Sequence, residues 1–443
     1  MTQSQLLRRR HRNPQSLKQR PWVWGLGALG FSLALLVGCD DKPAEQTPDS
    51  KPSAAPTSAA SGTTPTASIN GNAEHGKALM KEFECNRCHD GTGHEPMALE
   101  KHCIHCHQDI VSGKFNAPAT SLAKWKPNVE HYLDAPSFEG SNKRYRAEWL
   151  VSFLSEPHDL RPGLVQSMPR LKLEKQQVAD IAAYLTQGAK RDAGKDPLAD
   201  ANLEKGRKLI EEKGCGSCHV MSGVPAFMTK PDPKAADENT RRGQALAPDL
   251  RWARDKFPVE SLIAWIKDPK SIKPDTRMPV TSLTNDEARD IAAYVFKAEL
   301  TPFEAKPIPE RLPKLTRAVT YQEVFDKVFG KTCTHCHSNP DVARGDGGPG
   351  NTGGFGFKPR GLNMGSYSSL MSGMLDDQGE RMSIFTPMKD GTPRVVAALL
   401  ARQAEEAGKP NPEIRGMPLS LPALKPEEIQ LVETWIAQGR PRE

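Results

Sequence analysis

Apolar residues in this chain recur at helical spacing and seldom alternate with period two. Ile291, Tyr294 and Val295 fall at i, i+3 and i+4, and Thr284 with Glu287 forms a capping-box signal just before them. The pentapeptide DIAAY that holds Ile291 and Tyr294 also stands at residues 180–184, and a third apolar run, IQLVETWI, covers 429–436 behind Pro426, Glu427 and Glu428. Strand signals are sparse, so the pattern predicts an all-α fold. Residues 21–38 are apolar behind a basic stretch, the pattern of an export signal rather than of a folded element. Residues 41–70 are rich in Pro, Ala, Ser and Thr with no aromatic residue and one Ile, so they have nothing from which to build a core.

A repeat emerges when Cys-x-x-Cys-His is used to register the chain. Gly76 stands nine residues before Cys85, and Gly206 nine before Cys215. Met168-Pro169 and Met278-Pro279 are each followed, sixteen residues after the Met, by the Tyr of DIAAY. A looser third copy has Cys333, Cys336 and His337, then Met417-Pro418 and the closing run. The expected division is a signal peptide over 1–38, Cys39 and a disordered linker over 39–70, and three helical domains over 71–192, 200–300 and 317–443.

The nine cysteines form four Cys-x-x-Cys pairs plus Cys39. Each pair is followed by His: Cys85, Cys88 and His89; Cys103, Cys106 and His107; Cys215, Cys218 and His219; Cys333, Cys336 and His337. This is the attachment signature of c-type haem, in which two thiols reach the two vinyl groups as thioethers and the next imidazole lies under the iron. Zinc would require pairs of sites to converge and gives no reason for a His after every second Cys. A redox dithiol wants a βαβ context, which is missing. The cofactors expected are therefore four covalent haems. A Met thioether on the opposite face raises the reduction potential and favours electron transfer, a role that suits the recurring Met-Pro pairs.

Charge adds one exclusion. The formal net charge is +6, yet six basic residues and no acidic one lie before Cys39, and removing them leaves 54 basic against 54 acidic residues. The folded part has no excess positive charge for phosphate binding, so nucleic acid is not an expected partner. Leu36-Val37-Gly38-Cys39 resembles a bacterial lipobox, which implies a diacylglyceryl group on Cys39 and a membrane-anchored, exported protein facing the periplasm. An uncleaved apolar anchor over 21–38 is the alternative.

Residues 200–300 resemble a class I cytochrome c domain, from Gly206 and CGSCH through Pro248, Met278-Pro279 and the DIAAY helix. Residues 71–190 resemble the same family with an insertion, and 317–443 a more divergent cytochrome c group with an enlarged loop between haem and Met. The resemblance implies His89, His219 and His337 as proximal ligands, with Met168, Met278 and Met417 distal. It also implies a crossing of first and last helices, with Gly76 against Tyr184 and Gly206 against Tyr294. CNRCH then belongs to the basic fold and CIHCH, with His107 proximal, to the insertion. The inserted haem needs another sixth ligand; His131, His158, His94 and His102 are available, and His131 is favoured, then His158. The glycine-rich RGDGGPGNTGGFGF over 344–357 lacks the ending of a phosphate loop and reads as a cover near the fourth haem.

These features lead to the expectation of a tethered four-haem carrier passing single electrons between a donor and an acceptor redox protein. The alternatives are a haem enzyme of the dihaem peroxidase type with one open iron, or a fixed subunit of a respiratory complex.

Overall fold

The computed structural model describes residues 70–443 except 131, 159, 165–166, 190–193, 195, 225–236 and 340–349. The export signal, Cys39 and nearly all of the linker therefore lie outside the described residues. No helix among the described residues is long and apolar enough to cross a membrane. The described chain is helical, and its one sheet is the two-residue antiparallel pair β1 (Met374–Leu375) and β2 (Arg381–Met382).

In the N-terminal segment, α1 (Ala73–Glu82) starts where the Asn72 side chain accepts the His75 N–H. It stops before Glu84, whose φ of 50° is left-handed, and a 3-10 turn over Cys85–Arg87 follows. Next come α2 (Cys103–Ser112), α3 (Ala119–Val129), α4 (Ala147–Ser155) and α5 (Lys175–Leu185). The core joins Leu79, Met80 and Phe83 to Trp149, Leu150, Ile181 and Leu185. Helices α2 and α3 pack on each other beside it.

The middle segment repeats this plan. Helix α6 (Leu203–Glu212) is capped by Asn202, ends before Gly214 at φ 67°, and leads into a 3-10 turn over Cys215–Ser217. It is followed by α7 (Glu238–Leu246), α8 (Ala253–Lys256), α9 (Val259–Lys267), α10 (Pro269–Ile272) and α11 (Asn285–Lys297). The Thr284–Glu287 capping box opens α11 as its sequence predicts.

The crossing of first and last helices is the same in both segments. A Cβ placed on Gly76 would lie 2.0 Å from the Asp180 carbonyl oxygen, and one on Gly206 would lie 2.0 Å from that of Asp290. Only glycine permits so close an approach. The glycines thus meet the backbone one turn before Tyr184 and Tyr294, rather than the tyrosine rings, because the helices cross at the start of DIAAY. Each Asp then ties the crossing down: Asp180 Oδ1 accepts the Asn72 N–H at 2.7 Å, and Asp290 Oδ1 the Asn202 N–H at 2.8 Å.

The C-terminal segment departs from the plan at its first helix. Helix α12 (Tyr321–Val324) passes directly into a π-helix over Phe325–Cys333, so no left-handed residue separates helix from cysteines. Val324, nine residues before Cys333, is fully buried where the other segments place glycine. Here the last helix is held by rings instead of a close crossing. After α13 (Tyr367–Met371), β1, β2 and α14 (Arg394–Glu406), helix α15 (Pro426–Ala437) brings Trp435 against Tyr321, Phe329, Tyr367 and Phe385 at centroid distances of 5.8–6.5 Å.

The segments are also joined to one another. Arg146 N–H donates to the Lys256 carbonyl at 2.8 Å and Asp249 N–H to that of Leu160 at 3.0 Å. The Lys256 ammonium lies 5.2 Å from the Tyr145 ring centroid and 5.4 Å from that of Trp149. On another face, Phe355 N–H donates to Glu84 Oε2 at 3.0 Å, and the Arg87 guanidinium stands 5.3 Å from the Phe355 ring.

Candidate functional site

Three of the four Cys-x-x-Cys-His sites lie on a single tight turn, because the backbone of the His bonds back to the first Cys, while Cys103–His107 opens helix α2. His89 N–H donates to Cys85 O and His219 N–H to Cys215 O, both at 3.0 Å, and His337 N–H to Cys333 O at 2.9 Å. All eight described cysteines are free thiols. Burial pushes Cys85, Cys333 and Cys336 up to about 12, and Cys106 to about 11.

Three of the four histidines share one orientation. His89 Nδ1 lies 2.8 Å from the Pro136 carbonyl oxygen, His219 Nδ1 2.9 Å from that of Pro248, and His107 Nδ1 2.9 Å from that of Tyr132. A carbonyl only accepts, so Nδ1 carries the proton and donates, and the ring lone pair then sits on Nε2, the nitrogen that would face a metal. This is the arrangement in which an outer hydrogen bond fixes the tautomer and ring angle of a metal-binding imidazole. Burial lowers the pKa of His89 and His219, which favours the neutral form that ligates. His337 is enclosed differently. A Cβ on Gly350 would fall within 2.1–2.7 Å of its ring, and its buried Nδ1 has no hydrogen-bond partner among the described residues. Burial again lowers its pKa. Paired thiols directly before a buried imidazole fit covalent haem.

The two sites of the N-terminal segment are held by one short strip of chain. Tyr132, which holds His107, and Pro136, which holds His89, lie four residues apart with no helix or turn between them. Four residues span at most about 14 Å. Phe138, two residues on, stacks on the His89 ring at a centroid distance of 4.4 Å. The PSFEG stretch therefore passes the His89 side of the first site.

A second link joins the same two sites. The buried His102, just before Cys103, accepts the His105 N–H on Nδ1 at 3.2 Å and so caps α2. Its Nε2 lies 3.5 Å from Asp90, the residue after His89, while His105 Nε2 lies 3.3 Å from the other Asp90 oxygen. The His102 and His105 rings stack at 3.7 Å. Two imidazoles and a carboxylate thus bring three potential cation donors together. Yet the cap occupies the His102 Nδ1 lone pair, so in the neutral ring Nε2 bears the proton and faces the carboxylate as a donor.

Beyond the histidines, the distal candidates divide. Met278 is half-buried after α10, and its sulfur accepts the Trp265 indole N–H at 3.0 Å. Met417 is pinned through its backbone N–H to the Ala398 carbonyl of α14 at 2.9 Å. Beside it, Gly416 N–H donates to Glu405 Oε1 at 2.8 Å, and Glu405 pairs with the buried Arg402 at 3.3 Å. Met168 lies half-buried ahead of Arg170, whose guanidinium donates to the Asn411 carbonyl of the Met417 loop at 2.9 Å.

For the inserted site, His131 lies outside the described residues. His94 Nε2 lies 2.7 Å from the Lys77 carbonyl, and His102 caps α2. His158 sits between Phe153 and Trp252, where the N-terminal and middle segments meet. The glycine-rich loop, described from Gly350 onward, touches two sites: Gly350 faces His337, while Gly354 and Gly356 lie against Glu84 and Phe83. Sequence reasoning missed Tyr132, Trp265 and Arg402, which carry no motif.

The family model for Cytochrome c matches residues 97–189 and 203–298. Neither a curated protein nor a solved structure gives a match. The two matched regions are cytochrome c-like, which implies covalent c-type haem and a role in electron transfer. The first match begins at residue 97 and so takes in Cys103–His107 but not Cys85–His89. In the fold it is Cys85–His89 that follows the crossing helix α1, the position Cys215–His219 holds after α6.

Proposed function

We propose that this chain is a membrane-anchored tetrahaem c-type cytochrome that carries single electrons between exported redox partners. The observation that carries this reading is the clamp shared by His89, His107 and His219, each with Nδ1 committed to a backbone carbonyl directly after a pair of free cysteines. The haem iron supplies a one-electron couple when bound. The protein's part is to hold it: Cys85/Cys88, Cys103/Cys106, Cys215/Cys218 and Cys333/Cys336 attach the four groups, and the histidines that follow ligate them. Met168, Met278 and Met417 close three sites, and the sixth ligand of the inserted one is His131 or His158. Sites closed on both faces favour electron transfer over chemistry on small molecules.

The anchor rests on Leu36-Val37-Gly38-Cys39, and the thirty-residue linker behind it gives a root-mean-square reach of about 30 Å. Mass spectrometry of the acid-denatured protein tests the haem count, since thioether-bound groups survive unfolding; the expected count is four, and fewer would overturn it. Cys39→Ala is expected to release the protein from membranes with its haem spectrum unchanged. Normal lipid modification after that change would rule the lipobox out.

A second reading, an enzyme with one open iron at Cys103–His107, draws on the placement of His94, His102 and His158 in other contacts. A high-spin ferric signal in the wild-type holoprotein together with peroxide turnover would select it.

A further inference from the structure

Tyr132 faces two sites at once. Its backbone carbonyl accepts from His107 Nδ1 at 2.9 Å, its ring meets the His107 ring edge-on at 5.5 Å, and its hydroxyl lies 3.1 Å from Cys88 Sγ. The side chain is 6% exposed. Cys103 and Cys336 are both close enough to act on the phenol electrostatically, and the His335 ring lies 6.3 Å from that of His107. Attachment residues of the first, second and fourth sites thus converge on one buried tyrosine. A Cys88 sulfur in a thioether has no proton to give, so the hydroxyl is the donor of this pair.

We propose that Tyr132 is a shared positioning residue for the first two haem sites, its hydroxyl set on the Cys88 sulfur and its ring and carbonyl set on His107. The proposal rests on the haem reading. A donor aimed at the thioether draws electron density away from the first haem and favours its reduced form. The ring limits rotation of the His107 imidazole, which sets the magnetic axes at the second.

The test uses the full-length holoprotein with Tyr132→Phe and Tyr132→Ala, followed by redox titration monitored by electron paramagnetic resonance. Denatured mass is measured first: a wild-type chain without covalent haem on Cys85–Cys106 would sink the haem reading itself, whereas the outcomes below concern Tyr132 alone. Tyr132→Phe keeps ring and carbonyl and is expected to lower the first haem's midpoint, raising its ferric-to-ferrous ratio at fixed potential about threefold, the weight of a modest hydrogen bond. That equals about 28 mV for one electron. The second site's signal should stay put. Tyr132→Ala is expected to shift the g-values of the second site as well. If both variants keep wild-type midpoints and g-values and only melt earlier, Tyr132 is a core residue and the proposal fails. It fails also if Tyr132→Ala moves the first site alone.

Discussion

The indole N–H of Trp265 donates to the sulfur of Met278 across 3.0 Å. A thioether sulfur has two lone pairs, so this bond leaves one for a metal and fixes where it points. Met278→His should keep the third site closed and lower its potential, because imidazole favours ferric iron more than neutral sulfur does. Met278→Ala should open it. Trp265→Phe should keep the methionine bound but lower the potential by a smaller amount. The charge-transfer band at the red edge of the visible spectrum, read with potentiometry, checks all three; a band and midpoint unchanged in Met278→Ala would remove Met278 as a ligand. The same pair of changes applies to Met168 and Met417.

Gly206→Ala should destabilise the middle segment. The added methyl would stand 2.0 Å from the Asp290 carbonyl, and backbone on both sides must move to admit it. The expected cost is on the order of 2 kcal/mol or more. Thermal unfolding followed at the haem bands should show it, and Gly76→Ala should do the same to the N-terminal segment. Gly408→Ala is the useful contrast, since nothing lies within 4 Å of its added carbon and only its φ of 72° is strained.

Arg402 is 1% exposed, donates through Nε to the Leu421 carbonyl at 3.1 Å and pairs with Glu405, which in turn receives Gly416 N–H. Removing the guanidinium takes one partner from the buried Glu405 carboxylate, which keeps Arg170 at 3.9 Å, a loss of about 2 kcal/mol. Arg402→Met should therefore lower the denaturant midpoint and weaken the charge-transfer band of the fourth site. Adding Glu405→Gln should restore part of the stability. A single variant as stable as wild type would contradict this account.

Acid should loosen the C-terminal segment in a defined window. Hydrogen bonds from Arg317 at 2.7 Å and Lys327 at 2.8 Å hold the Glu323 carboxyl at about 2, against an ordinary value of 4.5. A folded-state value below the unfolded one means that the stabilisation is complete above about 4.5 and is lost as pH falls through about 2. The pair is near the surface, so the contribution is about 1 kcal/mol or less. Unfolding free energies of Glu323→Gln should vary less with pH over that window than those of wild type; parallel curves would refute the assignment.

The Cys-x-x-Cys-His turns were legible because two thiols and an imidazole recur at one fixed local spacing, the spacing a rigid macrocycle would demand. Gly76 and Gly206 were legible for a similar reason, a repeated distance to the cysteines, although the surface they meet is the Asp carbonyl and not the tyrosine. Residues that act across the fold obey no such spacing. Tyr132 lies 44 residues from Cys88, and Arg402 is one arginine among many until the loop of Met417 folds over it. The π-helix over Phe325–Cys333 was hidden too, since a wider turn leaves no mark in a short apolar pattern.

The strip from Tyr132 to Pro136 has a consequence for how such a protein tolerates change. The His89 and His107 imidazoles are tied to carbonyls on the same five residues, so a peptide's length, and not the fit of a core, caps the distance between them. Core side chains such as Leu79 or Ile181 can drift over generations without altering that cap. Each residue inserted between Tyr132 and Pro136 would raise it by about 3.5 Å. The spacing of this pair is thus inherited as a ruler written in chain length, open to revision only by insertion or deletion.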